Sequence, residues 1–435
     1  MAIKSLGPRF CPERTGTLRD VTRRTALFLT GVRRQHRVFH AFSLLIIRRA
    51  RVHKKERLTF IEAASIVAGY GIGSGIMAVP YLASKTGIVP FLILMCAAFF
   101  VSILIHLMVA EIMLRDSSSN QMIELYAKYL FRGKIGQILL WVFFVLIIIA
   151  FLTSLAAYIA EGGEILTGLF GIPLWIGHVV TYGIAAGIVF FGLKAIGLSE
   201  KYAILGIVAL VATLSIRSLW LPYTTIVFGS GGANAWMALF GMIMFSFFAL
   251  FSVPQAVEGL AWNKKLIPRA IIAGMLINFA IILVITLMTM GVSQEVTRVG
   301  IVGWGKSLGF GYAVSGGLFV ILAALTSYWS VSFALSTILQ ERLKLGDKIS
   351  WLVATLPTFI IVITRFSDFL GFMRIAGGAI ALLVAILTVP LLRSIRKHGN
   401  VKNPEWSLGY LGGGFFQLLV VLGFLLMAVG SVVKI

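Results

Sequence analysis

Eleven apolar runs, most of about twenty residues, constrain the fold of this chain more than any other feature. About twenty residues of α-helix, at ~1.5 Å each, cross the hydrocarbon core of a bilayer. Only 12% of the residues are charged, whereas soluble domains carry about 25%. The sequence therefore predicts an all-α polytopic membrane protein with eleven transmembrane helices, and short helices in the long loops 115–135 and 292–310. The predicted spans are 58–83, 88–114, 136–159, 173–193, 201–219, 235–260, 267–291, 311–339, 349–364, 371–392 and 409–433.

The net charge of +22 lies mainly in the N-terminal segment and in short loops, a distribution that does not indicate nucleic-acid binding. Residues 1–57 hold fifteen Lys and Arg against three acidic residues. They are predicted to form a basic cytoplasmic tail that is either disordered or lies as a helix on anionic lipid. An Arg-rich targeting segment and a start codon assigned too early are the alternatives.

The basic residues between the spans predict the orientation of the chain. With the N-terminus inside, the inner loops hold sixteen Lys and Arg and the outer side holds seven. Cytoplasmic loops carry an excess of Lys and Arg. We therefore expect a multi-pass protein of the cell (plasma) membrane, with its N-terminus in the cytoplasm and its C-terminus outside.

A glycine-rich stretch interrupts the first span. Gly69, Gly71, Gly73 and Gly75 occupy alternate positions, and each glycine costs a helix interior roughly 1 kcal/mol relative to alanine. Irregular backbone at membrane depth is tolerated only where protein or a water-filled cavity covers it. The stretch therefore predicts a broken helix that lines a polar site.

A second interruption is predicted in the sixth span. Pro254 lacks an amide hydrogen and clashes with the preceding turn, and Ser246 and Ser252 place hydroxyls nearby. Interrupted segments at matching places in two halves of a chain indicate a transporter binding site. Five spans lie between the two starts, so the second half is inverted. The predicted units are a first five-helix repeat at 58–219, a second, inverted repeat at 235–392 and an additional transmembrane helix at 409–433.

The residues around the first interruption carry a family resemblance. The string Gly-Ser-Gly-Ile at 73–76, followed by Pro80, resembles the G-S-G-[IV]-x-x-x-P pattern in the first helix of the amino acid–polyamine–organocation superfamily. The string 72–87 is closer to the amino acid/auxin permease branch, whose members typically have eleven spans. The resemblance covers about residues 55–435. It implies a LeuT-type fold of two inverted five-helix repeats, with helices 1 and 6 broken.

The resemblance also implies a substrate site. In relatives, amides freed at the Gly-Ser-Gly hold the carboxylate of the amino acid, and carbonyls freed in helices 1 and 6 hold its ammonium group. A half-helix that begins there points its positive end into the cavity, which favours an anion. The predicted substrate-binding residues are Gly71, Gly73, Ser74, Gly75 and Ile76 in the first span, and Phe248, Ala249, Phe251 and Ser252 in the sixth.

The eighth span resembles the sodium-binding helix of sodium-coupled relatives, which has the spacing A-x-x-T-S. Ala323, Thr326 and Ser327 lie on one helix face, and their oxygens suit a hard cation. Carbonyls near Gly69 and Ile72 would complete the sodium site. The alternative is that both hydroxyls only bond carbonyls of their own helix.

Ionisable residues within membrane spans are functional candidates. The gate candidates are Glu62, Glu258 and Arg374. His106 and His178, single histidines in different spans, are interpreted as packing residues. Glu161 and Glu164 are expected to be solvated at the outer vestibule. Some proton-coupled relatives carry a lysine within helix five, whereas Lys201 lies only at the edge of the fifth span, which favours sodium.

These features predict a secondary active transporter of amino acids that works by alternating access and is coupled to Na⁺ or H⁺, with no other cofactor. The large apolar walls favour a neutral substrate, aromatic or branched. An amino-acid sensor or a channel on the same scaffold is the alternative, and an enzyme is disfavoured because the intramembrane ionisable residues are scattered. The expected partners are the amino acid and the lipid bilayer. The predicted walls are Met77, Phe247, Phe248, Phe251, Tyr328 and Trp329.

Overall fold

All regular secondary structure in the described residues is helical. The computed structural model describes residues 57–73, 75–116, 121–223, 228–229, 231–293, 295–364, 384 and 386–433. The predicted basic tail, apart from its last residue, lies outside these ranges, as does most of the predicted tenth span.

The described chain begins with a broken first helix. The helices described between residues 57 and 223 are α1 (Phe60–Gly71), α2 (Gly75–Thr86), α3 (Ile88–Arg115), α4 (Met122–Tyr129), α5 (Gly133–Phe170), α6 (Leu174–Phe190) and α7 (Leu193–Ser218). The helices described after residue 231 are α8 (Ala233–Ser246), α9 (Ser252–Gly259), α10 (Leu266–Val292), α11 (Gly300–Leu308), α12 (Phe310–Leu343), α13 (Asp347–Ile363), α14 (386–398) and α15 (Gly414–Val432), with a 3₁₀ turn at Gly409–Gly412.

Several of these helices are suited to crossing a membrane. By length and composition, six of those described qualify: α3, α5, α7, α10, α12 and α15. The pair α1 and α2 counts as a seventh, bent by 53° at its break, while α6 and α8 are shorter apolar helices. The helices α4 and α11 occupy the two long loops where short helices were predicted. The all-α polytopic membrane fold is thus confirmed.

Among the described helices, α5 and α7 extend furthest beyond the predicted spans. The third span was expected to end at 159, but α5 continues to Phe170 and stops where Gly171 adopts a left-handed φ of 67°. The fifth span was expected to begin at 201, but α7 begins at Leu193. Charged residues mark span ends only when they face water, and the extra turns contain Glu161 and Glu200, which are both buried.

The helix α1 begins at a capping box and ends in the glycine run. Thr59 Oγ1 accepts a hydrogen bond from the Glu62 amide at 3.3 Å, and the Glu62 carboxylate accepts from the Thr59 amide at 2.7 Å. At the other end, Ile72 N–H donates to Ala68 O at 2.9 Å. Because α2 begins at Gly75, the break falls inside the glycine run, as predicted.

The second break separates α8 from α9. Phe248 N–H donates to Phe245 O, and Ser252 N–H donates to Ala249 O, each at 3.0 Å. These tighter i→i−3 bonds replace the α-helical ladder between the two helices. Pro254 is the third residue of α9, in the first turn, where no residue needs an amide hydrogen for the helix. Proline therefore marks the start of the second half-helix.

The four half-helices pair across the breaks. On the side predicted to face the cytoplasm, Leu58 N–H donates to Gly259 O at 3.0 Å, and Trp262 Nε1 donates to Leu58 O at 3.0 Å. These bonds join the start of α1 to the end of α9. On the other side of the breaks, α2 packs on α8, where Gly75 meets Ser246. Both breaks therefore lie at the same place in the bundle.

Glycines allow close packing of α15 against α8, and their substitution tests this contact. A side chain at Gly430 would overlap Met237 O, and a methyl group at Gly241 would lie 3.1 Å from Gly430 Cα. We expect Gly430→Val to destabilise the fold by about 1–3 kcal/mol through overpacking, measured as a lower thermal midpoint in detergent. Gly187→Val is the control, because a side chain there meets nothing within 4 Å. Equal midpoints for the two variants would contradict the packing described.

Candidate functional site

A small cavity lies where the two breaks meet. Its volume is about 20 Å³, room for about one water molecule. Glycine backbone of the first break forms one wall, and aromatic rings with one serine form the others. The lining residues are Tyr70, Gly71, Gly73, Gly75, Ser154, Tyr158, Phe245, Phe248 and Val331.

Two glycines bring the start of α2 against the cavity. A methyl group at Gly73 would lie 2.8 Å from Ser327 Oγ and 3.2 Å from the Tyr158 hydroxyl. A methyl group at Gly75 would lie 2.6 Å from Ser246 Oγ. Any side chain here would therefore take up space in or beside the cavity. Amides in the first turn of a helix lack an acceptor four residues earlier, and here Ile76 N–H donates to Gly73 O at 3.2 Å. The positive end of the helix dipole favours an anionic group at this wall.

Asn278 on α10 connects the two breaks. Its Nδ2 donates to Ser246 O at the end of α8, at 2.8 Å. A methyl group at Gly71 would overlap the same amide nitrogen. Asn278 is fully buried, so it satisfies a carbonyl that the interrupted helix leaves exposed. Sequence reasoning missed it, although an amide in an otherwise apolar span was an available signal.

His106 on α3 bonds the backbone of the second break. Ala249 N–H donates to His106 Nε2 at 3.0 Å, and His106 Nδ1 lies 2.6 Å from Ser102 O. An amide can only donate and a carbonyl can only accept, so Nδ1 carries the hydrogen and Nε2 is the acceptor. The interpretation of His106 as a packing residue was therefore incomplete.

The predicted substrate-binding residues fall into three groups. Those that line the cavity are Gly71, Gly73, Gly75 and Phe248. Those that are buried outside its lining are Ile76, Ala249, Phe251 and Ser252. Ser74 lies outside the described residues.

The carbonyl predicted to be free at Ala249 is occupied. Ser252 donates to Ala249 O twice, from Oγ at 2.6 Å and from its amide at 3.0 Å. Phe251 O accepts a bond from Gln255 Nε2 at 3.4 Å. The expectation that helix 6 leaves these carbonyls free for the substrate ammonium group is therefore corrected. Groups in the first turn of α9 already donate to them. Of the six predicted walls, only Phe248 lines the cavity.

The predicted sodium ligands largely converge on one place. Ser327 Oγ donates to Gly69 O at 3.0 Å, and Thr326 Oγ1 donates to Ala323 O at 3.0 Å. Ile72 is buried, and its amide donates to Ala68 O at the end of α1. The structure thus brings oxygens of α1 and α12 together. For Thr326 it also shows the alternative predicted from the sequence, a hydrogen bond within its own helix.

Glu200 on α7 lies beside these oxygens. Its Oε1 accepts from Ser330 Oγ at 2.7 Å, while Oε2 has no hydrogen-bond partner among the described residues. A methyl group at Gly69 would overlap the Glu200 carboxyl and lie 3.1 Å from Thr326 Cβ. Sequence reasoning missed this acid because the predicted fifth span begins at 201, one residue after Glu200, whereas α7 begins at Leu193.

Glu161 on α5 is a second buried carboxyl. It is 4% exposed, and neither of its oxygens has a hydrogen-bond partner in the part of the chain that the structure describes. The prediction that Glu161 is solvated is wrong, because α5 continues past it. Glu164, one turn further along, is exposed as expected.

One gate candidate, Glu62, forms an ion pair near the N-terminal end of α1. Both carboxylate oxygens of Glu62 accept from Lys194 Nζ, at 2.7 and 2.6 Å. This ion pair joins α1 to the first turn of α7. Glu258 is half-buried in α9, and Arg374 lies outside the described residues.

A multi-pass helical bundle with two interrupted helices beside a small cavity is typical of transporters with the LeuT-type fold. The structure is similar to the crystal structure of MhsT in complex with L-phenylalanine, with a TM-score of 0.61 and 15% identity, covering 86% of this chain and 99% of that one. The structural similarity therefore covers nearly the whole MhsT chain.

The chain belongs to the tryptophan/tyrosine permease family, whose sequence profile matches residues 56–431. Comparison with curated proteins finds no match. The family confirms the resemblance to amino acid permeases, and it points to a transporter rather than an enzyme.

Removal of the Asn278 amide tests its link between the breaks. We expect Asn278→Ala to lower stability by about 1–3 kcal/mol, because Ser246 O would be left without a donor in a buried place. The measurement is the thermal midpoint in detergent. Asn234→Ala, at an exposed position in the first turn of α8, is the control. A midpoint for Asn278→Ala equal to that of the control would show that the amide does not hold the breaks.

Proposed function

We propose that this chain is a secondary active symporter of a neutral, aromatic amino acid. The observation that carries the proposal is the cavity at the two breaks, where the first turn of α2 faces a set of aromatic side chains. The aromatic members of the lining are Tyr70, Tyr158, Phe245 and Phe248. The family description and the phenylalanine named for MhsT support the same substrate class.

The two ends of the substrate have different environments in this proposal. The carboxylate binds amides at the start of α2, those of Ser74, Gly75 and Ile76, where the helix dipole favours negative charge. The Ile76 amide, which donates to Gly73 O at 3.2 Å, exchanges that acceptor for the carboxylate when the substrate binds. The ammonium group faces carbonyls of the first break, including that of Gly71. Aromatic rings surround the side chain and favour an aromatic partner. The hydroxyl of Tyr158, beside Gly73, is a further donor for the carboxylate.

The small size of the cavity supports alternating access. About 20 Å³ holds a water molecule and not an amino acid, so the surrounding helices must separate for binding. On the inner side, the ion pair of Glu62 with Lys194 and the bond from Trp262 to Leu58 O close the path. We propose that these contacts form the inner gate and open in the inward-facing state. The N-terminus is then cytoplasmic and the C-terminus outside, in the plasma membrane.

The coupling ion, Na⁺ or H⁺, acts in this proposal where α1 meets α7 and α12. Gly69 O, Ser327 Oγ and the Glu200 carboxyl lie together there. A buried carboxylate is costly unless a cation or a proton offsets its charge. A bound cation would also draw α1 towards α12. Ion binding would thereby favour the closed arrangement of the first broken helix.

Transport in proteoliposomes tests the function directly. We expect external labelled tryptophan, tyrosine or phenylalanine to exchange with internal unlabelled substrate. We also expect an imposed Na⁺ or H⁺ gradient to drive accumulation that an ionophore for that ion abolishes. Lysine, with a cationic side chain, serves as the control substrate. Saturable binding without any exchange would indicate a sensor and would contradict the proposal.

Gly75→Leu tests the position of the substrate carboxylate. A side chain there collides with Ser246 and fills the wall at the start of α2, so we expect uptake to fall at least about a hundredfold, or ~2.7 kcal/mol. Gly75→Ala is expected to cause a smaller loss. Gly183→Leu, where a side chain meets nothing within 4 Å, is the matched control. Uptake by correctly inserted Gly75→Leu at the wild-type rate would rule out this site.

A further inference from the structure

A histidine outside the cavity interrupts the helical hydrogen bonding of the second break. In a continuous α-helix, Ala249 N–H would donate to Phe245 O, four residues earlier. Instead it donates to His106 Nε2 at 3.0 Å. Phe245 O accepts from Phe248 N–H at 3.0 Å. A side chain from α3 therefore supplies the acceptor that the helix has lost at this position.

The His106 ring is held rigidly for this task. Its Nδ1 lies 2.6 Å from Ser102 O, one turn back on the same long helix. Only the neutral ring with hydrogen on Nδ1 satisfies both contacts, because protonation of Nε2 would place two donors face to face. The ring is fully buried, so water does not compete for either nitrogen. The bond to Ala249 thus fixes one peptide group of the break against α3.

That peptide group lies directly next to a cavity wall. Phe248 precedes Ala249 and lines the cavity. Its ring lies 6.2 Å from the rings of Phe251 and Phe424, in an aromatic cluster. The peptide between Phe248 and Ala249 sets the direction of the Phe248 side chain, so a fixed Ala249 amide fixes where this ring meets the cavity.

We propose that His106 is a positioning residue for the substrate cavity, which holds the Ala249 amide so that Phe248 presents its ring to the substrate. The proposal rests on the aromatic amino acid symport proposed above. Without His106, the buried Ala249 amide would lack an acceptor, and the break would relax towards the helical bond to Phe245 O. Phe248 would then turn away from its place. Substrate binding and selectivity would change because Phe248 has moved, although His106 itself does not line the cavity.

Exchange kinetics in proteoliposomes with the full chain test this role. His106→Leu removes the acceptor, whereas His106→Gln retains a side-chain oxygen that can accept from Ala249 N–H. His178→Gln, at the other buried histidine, on α6, is the matched control. KM and maximal rate are measured for tryptophan, tyrosine, phenylalanine and leucine in the wild type and all three variants.

The expected result separates affinity from turnover. For His106→Leu we expect KM for the aromatic substrates to rise at least about tenfold and their advantage over leucine to fall by a similar factor, with a maximal rate within about twofold of wild type. His106→Gln should restore both within about threefold, and His178→Gln should match the wild type. Unchanged KM and selectivity in His106→Leu, a fall in maximal rate alone, or no rescue by glutamine would each overturn the proposal.

A spectroscopic measurement covers the case in which His106→Leu does not insert. Solid-state NMR of the wild-type chain with ¹⁵N-labelled histidine, assigned by comparison with His106→Gln, should show hydrogen on Nδ1 and an accepting Nε2. Hydrogen on Nε2 would overturn the proposal. If the wild type shows this tautomer but exchanges no amino acid, the proposed symport fails while the bond to the break stands, so the two failures are distinguishable.

Discussion

Backbone hydrogen bonding in an apolar surrounding is the constraint on which this structure depends. Two helices stop and restart at membrane depth, and each stop leaves amides and carbonyls that lipid cannot satisfy. Side chains from neighbouring helices satisfy them: His106 accepts from Ala249 N–H, Asn278 donates to Ser246 O, and Ser327 donates to Gly69 O. The breaks therefore depend on their neighbours in this bundle, and at the start of α2 the Ile76 amide donates to Gly73 O at 3.2 Å.

The alternate glycines let neighbouring helices approach the backbone of the first break closely, in addition to giving that backbone conformational freedom. Each faces a different polar side chain, and a methyl group at any of them would collide. The pairs are Gly69 with Glu200, Gly71 with Asn278, Gly73 with Ser327 and Gly75 with Ser246. These partners come from α7, α10, α12 and α8, so four helices pack against the same short stretch of backbone. A movement of α1 and α2 would change all four contacts together, as the alternating access proposed above requires.

Charge is arranged differently near the breaks and at the end of the bundle predicted to face the cytoplasm. At that end, acids pair with bases: Glu62 with Lys194 at 2.6 Å and Glu111 with Arg396 at 2.7 Å. Nearer the breaks, Glu200 has only a hydroxyl partner among the described residues, and Glu161 has none. Partly solvated ion pairs can form and break at modest cost, which suits a gate. A lone buried carboxyl instead favours a neutral form or a bound cation.

The sequence by itself determined the membrane location, the helical class and the two breaks. These depend on local properties: the length of apolar runs, the helix cost of glycine, and the missing amide hydrogen of Pro254. It also predicted Gly71, Gly73, Gly75 and Phe248 as substrate-binding residues, and these four line the cavity between the breaks. Only the tertiary structure decided that Glu161 and Glu200 are buried, that His106 and Asn278 support the breaks, and which residues wall the cavity. Those facts depend on contacts between residues far apart in the chain, and hydropathy along one helix carries no information about which face a neighbouring helix covers.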